Sequence, residues 1–346
     1  MIEILCGNLL DADVEALVNT VNTVGVMGKG IALQFRQAFP ENFDAYKRAC
    51  DRKEVEPGKM FVYNTDSLLN PRFIINFPTK RHWRGRSRMQ DIEEGLRDLV
   101  RVIESNHIRS IALPPLGCGN GGLNWDEVRD RIQKALEDLG DVRILLFEPV
   151  GAPRPDHMKV ATKAPGMTSG RAAILAVLHQ YAIPGYRLSM LEIQKLAYFL
   201  QEAGEPLRLN FTANQYGPYA EALHHVLQRM EGHFIRGYGD RSQKALEPTI
   251  FVLPEAVQKT EEFLAGQKET QDRIDRVNRL IEGFETPYCL EMLATIHWIS
   301  KENPDRVESA EKAIEGVQSW NERKRRLFKA EHIRVAWQQL RNERWI

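Results

Sequence analysis

Over its first 150 residues the chain alternates short apolar runs of β character with longer segments of helical period. That alternation constrains the fold more than any other feature. Apolar runs too short for helices, separated by amphipathic helices, bury themselves as central strands of an α/β sheet. The strand candidates are Ile2 to Cys6, Ala16 to Asn19, Lys59 to Tyr63, Arg72 to Asn76, Ser110 to Leu113 and Arg143 to Phe147. Gly30 to Phe39, Phe43 to Ala49, Asp91 to Ser105 and Trp125 to Leu139 read as helices, with Leu96, Leu99, Val100 and Ile103 spaced as one buried stripe.

With 346 residues the chain exceeds what one core organises, so two domains are expected. The stretch from Val150 to Gly170 is rich in Pro, Gly and small polar residues and has no apolar period. It divides the sequence into an α/β domain at 1–150, a linker at 151–170 and a mainly helical domain at 171–346. In the last of these, Ile193, Leu196, Ala197 and Leu200 form one stripe and Val277, Leu280 and Ile281 another. Tyr216-Gly217-Pro218-Tyr219 breaks the helices, Thr249 to Leu253 reads as a short strand, and the basic run Arg323 to Arg326 with Lys329 reads as a solvated helix face.

Lys plus Arg equals Asp plus Glu, 47 each, which excludes a uniformly basic nucleic-acid coat and confines any partner electrostatics to patches. No apolar run approaches a membrane span, and the opening Met-Ile-Glu-Ile-Leu lacks the basic start of a signal peptide, so a cytoplasmic protein without membrane partners is expected. Cys6, Cys50, Cys118 and Cys289 are scattered, so neither a disulfide framework nor a zinc cluster is suggested, and no cofactor or metal is expected.

Three strand ends are loaded with chemistry. The first carries Asn19-Thr20-Val21-Asn22 and then Gly28-Lys29-Gly30-Ile31-Ala32 entering a helix. A Gly-x-Gly turn there either aims backbone amides and the helix dipole at an anion or serves steric needs alone; it is neither a P-loop nor a dinucleotide fingerprint. The second, Pro114 to Leu123, packs Gly117, Gly119, Gly121 and Gly122 around Cys118 and Asn120, a run that lets the main chain close on phosphate and ribose oxygens. Two such loops at one sheet edge point to a phosphorylated, nucleotide-like ligand. The third, Phe77 to Arg88, sets Lys80, Arg81, Arg84, Arg86 and Arg88 beside His82 and Trp83. It is either a single-strand nucleic-acid surface, cations on phosphates with an aromatic for a base, or a solvated basic loop.

Taken together, Gly7-Asn8-Leu9, Val18 to Asn22, Gly28 to Ala32 and Gly117 to Leu123 resemble a macrodomain in order and spacing, over residues 1 to about 150. Thr79-Lys80 further resembles the branch that hydrolyses ADP-ribose linkages with a lysine, and within it the antitoxins of DNA-ADP-ribosylating toxins. The resemblance implies a largely parallel mixed sheet between helices. It implies that the backbones of Gly28 to Ala32 and of Gly117 to Gly121 hold a diphosphate, with Asn8, Leu9, Asn19, Thr20, Val21 and Thr79 around the ligand and Phe147 against the adenine. Asn8 stands where the family often has an acid that contacts the adenine. Asn22 is assigned to the distal ribose and Lys80 to the chemistry, as nucleophile or as electrostatic catalyst. Some relatives pair that lysine with an acid at the position of Gly121, which favours the electrostatic role here. Arg81, Trp83, Arg84, Arg86 and Arg88 are assigned to DNA.

The activity implied is hydrolysis of the N-glycosidic bond between ADP-ribose and a thymine base of single-stranded DNA. A non-catalytic ADP-ribose-binding module and a hydrolase of ADP-ribosylated protein side chains are the alternatives. Lys195 to Leu200 and Tyr216 to Tyr219 are similar to the helical antitoxin domain called Panacea, which implies that residues 171–346 bind the cognate ADP-ribosyltransferase toxin.

Overall fold

Six strands build one mixed sheet in the computed structural model, which describes residues 2–151, 153–183, 185–242 and 244–346. Met1, Ala152, Pro184 and Gln243, which fall within the expected domain and linker spans, lie outside the described residues. The first unit runs β1 (Ile2–Leu5), β2 (Ala16–Asn22), α1 (Gly30–Ala38), α2 (Pro40–Asp51), β3 (Phe61–Asn64), β4 (Phe73–Lys80), α3 (Met89–Ser105), β5 (Ser110–Leu113), α4 (Trp125–Leu136) and β6 (Arg143–Phe147). The strands are ordered β1-β6-β5-β2-β4-β3. Only β3 runs antiparallel to its neighbour, so the other five strands end at the same edge of the sheet.

Alternation along the strands sorts the apolar residues into two layers. Ala16, Val18, Ile75, Phe77, Ile111, Leu113, Ile144 and Leu146 pack on Ile92, Leu96, Leu99 and Ile103 of α3 and on Val128, Ile132 and Leu136 of α4. Leu17, Ile74, Ala112, Leu145 and Phe147 pack the other way, on Leu9, Leu10, Val14 and Phe35. Beside them Val21 and Met27 meet Tyr46, Ala49 and Cys50 of α2. Asn124 caps α4 through its side chain, accepting from the Glu127 amide.

One irregularity in the sheet bears on everything that follows. The β2–β4 ladder pairs Ala16 with Phe73 and continues in step to Val21 with Pro78, but the next pair is Asn22 with Lys80. Thr79 is the extra residue of the bulge, and its hydroxyl lies 3.4 Å from the Val21 carbonyl. A one-residue slip turns the following side chain to the other face of a strand, so the bulge brings Lys80 to Asn22's side.

The first unit comprises Met1–Lys163 together with Asp240–Ser242, and the second Ala164–Gly239 with Gln243–Ile346. Most of the expected linker therefore belongs to the first unit, because polar contacts tie it down. Lys159 pairs with Asp11 at 3.0 Å and donates to the Leu10 carbonyl at 2.7 Å, and the Ala161 amide donates to Gln37. At its far end, Thr168 caps a helix that starts at Ser169.

The second unit is mainly helical, with α5 (Ser169–Tyr181), α6 (Met190–Glu202), α7 (Ala222–Met230), α8 (Pro254–Leu264), α9 (Lys268–Ile281), α10 (Pro287–Glu302), α11 (Ala310–Gln318), α12 (Glu322–Leu327) and α13 (Ala330–Asn342). Four short strands form two hairpins, β7 (Thr212–Asn214) with β8 (Gly217–Tyr219), and β9 (Ile235–Arg236) with β10 (Phe251–Val252). The expected stripes are buried, Leu196, Leu200, Val277 and Leu280 among them. The basic run departs from expectation at Lys324, which is fully buried because its ammonium meets the Glu291 carboxylate at 2.5 Å. Arg323 joins the same carboxylate at 2.6 Å, whereas Arg325 and Arg326 are exposed. Lys195, also buried, donates to the Pro218 carbonyl at 2.6 Å.

Candidate active site

The sheet edge where β5, β2 and β4 end side by side carries the three loaded segments. Lys80 is the last residue of β4 and not part of the loop beyond it, with Phe77, Pro78 and Thr79 likewise inside the strand. Its ammonium donates to the carbonyl of Asn120 in the second glycine-rich loop. That loop also touches the first, since a side-chain carbon added at Gly30 would come within 3.3 Å of the Asn120 amide. Burial lowers the Lys80 pKa from its ordinary value, and no carboxylate among the described residues offsets the shift. The carbonyl bond favours the charged form, so a cation is held at a partly dehydrated point.

Asn22 stands opposite Lys80 and is buried, 6% exposed. Its side-chain oxygen accepts from the amides of Val24 and Val26 at 3.0 and 3.3 Å, and its nitrogen donates to the Val26 carbonyl at 2.5 Å. The residue assigned to the ribose therefore also shapes the loop that leads to α1. That helix starts at Gly30 with no side-chain cap, leaving first-turn amides at Ile31 and Ala32 for an anion. The Gly30 amide itself donates to the carbonyl of Asp240, whose carboxylate accepts from Gln34 at 2.7 Å.

In the second loop Gly117 and Gly121 are buried, while Gly119, Asn120 and Gly122 are exposed. A side-chain carbon at Gly121 would lie 2.1 Å from the Gly117 carbonyl oxygen and 2.3 Å from the Ser87 hydroxyl. No acid fits there without moving the loop, which removes the position from which a carboxylate could partner Lys80. Cys118 contributes no nucleophile, because burial pushes its thiol up to about 11.

The remaining assignments divide by environment. Leu9, Val21 and Phe147 are core residues whose side chains pack among Leu17, Phe35, Met27 and Tyr46, so little of each side chain is exposed. Asn8 caps a single turn of 3-10 helix at Leu9–Asp11, accepting from Leu10 and donating to Asp11 at 2.8 Å. Asn19 is fully buried and donates to Asn76 at 3.0 Å, whereas Thr20 is half-buried. Thr79 is 3% exposed in the bulge.

Of the cations assigned to DNA, Arg81 is already engaged, its guanidinium 2.8 Å from the buried Asp91 carboxylate in the first turn of α3. Its carbonyl accepts from Thr23, which ties the first loop to the third. Arg84, Arg86 and Arg88 are exposed and form no ion pair among the described residues. Trp83 is 46% exposed, stacks on His82 and carries the Arg84 guanidinium 4.5 Å from its ring centre. Reading the sequence did not single out Ser87, Asn42, Tyr46 or Asn76. Ser87 is buried beneath the second loop and donates its amide to the Gly121 carbonyl. The signal for Asn76 was one polar residue in the apolar run Ile74-Ile75-Asn76-Phe77.

Residues 18–132 match the Macro domain family. Over 337 residues the chain is 50% identical to the DNA ADP-ribosyl glycohydrolase of Thermus aquaticus, covering 97% of this chain and 92% of that protein. A DNA ADP-ribosyl transferase–DNA ADP-ribosyl glycohydrolase fusion protein of Thermosipho africanus is 34% identical over 165 residues, covering 43% of this chain and 42% of the fusion. Among solved structures, the macrodomain of Thermus aquaticus DarG matches with 61% identity and a TM-score of 0.42, covering 43% of this chain and 99% of that one.

Proposed function

Because the chain belongs to the DNA ADP-ribosyl glycohydrolase family, we propose that its first unit removes ADP-ribose from thymine bases of single-stranded DNA by hydrolysing the N-glycosidic bond. The observation that carries this reading is the meeting of the Lys80 ammonium, Asn22 across the ladder and the Asn120 carbonyl of the glycine-rich loop. The two loops hold the diphosphate of the ligand through backbone amides, and Asn22 orients the distal ribose. Water adds to the anomeric carbon as the bond to the base nitrogen breaks, and the base leaves as an anion that takes up a proton. Lys80 stabilises that charge as it develops, a role that needs the ammonium form and no partner carboxylate. The crowding around Gly121 supports this over a nucleophilic amine served by an acid.

Arg84, Arg86, Arg88 and Trp83 form the DNA-facing surface, with exposed charge for phosphates and a ring for an unpaired base. The second unit binds the cognate DNA ADP-ribosyltransferase, and the protein acts as the antitoxin of that enzyme. The Thermosipho africanus relative, whose name joins transferase and glycohydrolase in one chain, supports a transferase as the partner.

Release of ADP-ribose from a modified oligonucleotide tests the activity. Lys80→Ala is expected to slow it by at least about a hundredfold, roughly 2.7 kcal/mol of transition-state stabilisation. Its affinity for free ADP-ribose should change far less. Wild-type turnover in that variant would overturn the assignment of Lys80, and absence of turnover in the unmodified chain would reduce the unit to ligand capture.

A further inference from the structure

Two polar side chains stand one turn apart on the buried face of α2, and both reach toward the carboxyl half of β2. Asn42 accepts from Asn76 at 2.7 Å, and Asn76 in turn accepts from Asn19 at 3.0 Å, which links the helix to β2 through β4. Tyr46 acts directly. Its hydroxyl donates to the Asn22 carbonyl at 2.5 Å and lies 3.4 Å from the Asn22 side-chain oxygen. The bond falls where the β2–β4 register shifts and Asn22 comes opposite Lys80.

Tyr46 is fully buried, and desolvation holds its phenol far above the ordinary range, so it remains a donor throughout the working pH range. The loop that Asn22 braces lies on the same helix, since a side-chain carbon at Gly25 would be 3.4 Å from that of Cys50. A core position needs only the ring. A hydroxyl there costs desolvation unless it is bonded, and here it is bonded to a residue of the candidate active site.

We infer that Tyr46 is a positioning residue of the hydrolase, fixing the Asn22 carbonyl and with it the braced loop opposite Lys80. The inference rests on the roles given to Lys80 and Asn22 above. Tyr46→Phe removes one oxygen and keeps the packing. In the full chain acting on ADP-ribosylated oligonucleotide it is expected to lower kcat about tenfold, while KM and the affinity for free ADP-ribose stay within about twofold. If Tyr46 works through Asn22, the Tyr46→Phe/Asn22→Ala double variant is no slower than Asn22→Ala alone.

Val55→Ala serves as the control, because it trims a buried residue of the same apolar cluster as Tyr46, brings no polar group to Asn22 or to the Tyr46 hydroxyl, and should keep kcat. Wild-type kcat in Tyr46→Phe would overturn the inference. So would fully additive losses in the double variant, or kcat losses in Tyr46→Phe and Val55→Ala that merely follow their melting temperatures. Should Tyr46→Phe melt near the assay temperature, the same rates read well below its midpoint decide the matter. Wild-type kcat in Lys80→Ala removes the role given to Lys80, on which the inference rests, and absence of turnover in the unmodified chain removes the hydrolase reading, whereas wild-type kcat in Tyr46→Phe beside an inactive Lys80→Ala removes only Tyr46.

Discussion

Gly121 shows how much a single residue decides when the backbone around it is closed. A methyl group there would collide with the Gly117 carbonyl and the Ser87 hydroxyl, neither of which is the free end of a flexible chain. Gly121→Ala is therefore expected to cost about 1–3 kcal/mol of stability through overpacking. It should weaken ADP-ribose binding by at least about tenfold through displacement of the loop, about 1.4 kcal/mol. Thermal melting and calorimetric titration with ADP-ribose check the two effects, and unchanged affinity would show that the loop is not the cradle. Glycines at 117, 119, 121 and 122 and the lysine at 80 were legible because their spacing between strand and helix is unusual. Tyr46 was not legible, because a tyrosine on the apolar stripe of an amphipathic helix reads as core until its hydroxyl's partner is seen. Phe147 carries both readings, since the resemblance gives it to the ligand and the strand alternation packs it into the core.

Among the elements, β4 and the segment after it carry opposite requirements. The strand must be rigid to hold Lys80, and the segment must be open to meet a nucleic acid. Arg81 serves the first need through Asp91, which leaves Arg84, Arg86 and Arg88 for the second. Replacing these three by Ala is expected to reduce the slope of log affinity against log salt by about 2 for a modified single strand, at roughly 0.7 for each phosphate no longer neutralised. Affinity for free ADP-ribose should barely move. Titrations across a salt series measure this, and an unchanged slope would remove the DNA-facing assignment. Most strands and helices were legible from their apolar periods, with Ser110–Leu113 and Arg143–Phe147 found at the expected limits. The carboxyl end of β4 was not, because Pro78 and Thr79 read as the beginning of a loop, and a bulge leaves no mark in hydrophobic alternation.

Across the whole molecule, the second unit stores charge in its interior. Burial, with the Lys324 charge nearby, lowers the Lys195 pKa to about 7, and burial lowers that of Lys324 to about 8 although Glu291 opposes it. Between those values and about 10.5 the folded chain has released protons that the unfolded chain still binds, so stability rises with pH across that window. The urea midpoint read by tryptophan fluorescence is expected to climb from pH 7 to about pH 8.5, below the range where raised thiols such as Cys118 act in the opposite sense, and Lys195→Met should flatten the climb. A midpoint falling over that range in the unaltered chain would contradict the buried placement. In the first unit a different quantity governs, which is the parity of β4. With Thr79 present the strand holds one residue more than its partner needs, and the amine emerges on the reacting side of the sheet. Activity thus depends on register as well as on identity: were the ladder to run on in step, with Thr79 opposite Asn22, every named side chain would be present and the amine would enter the opposite layer.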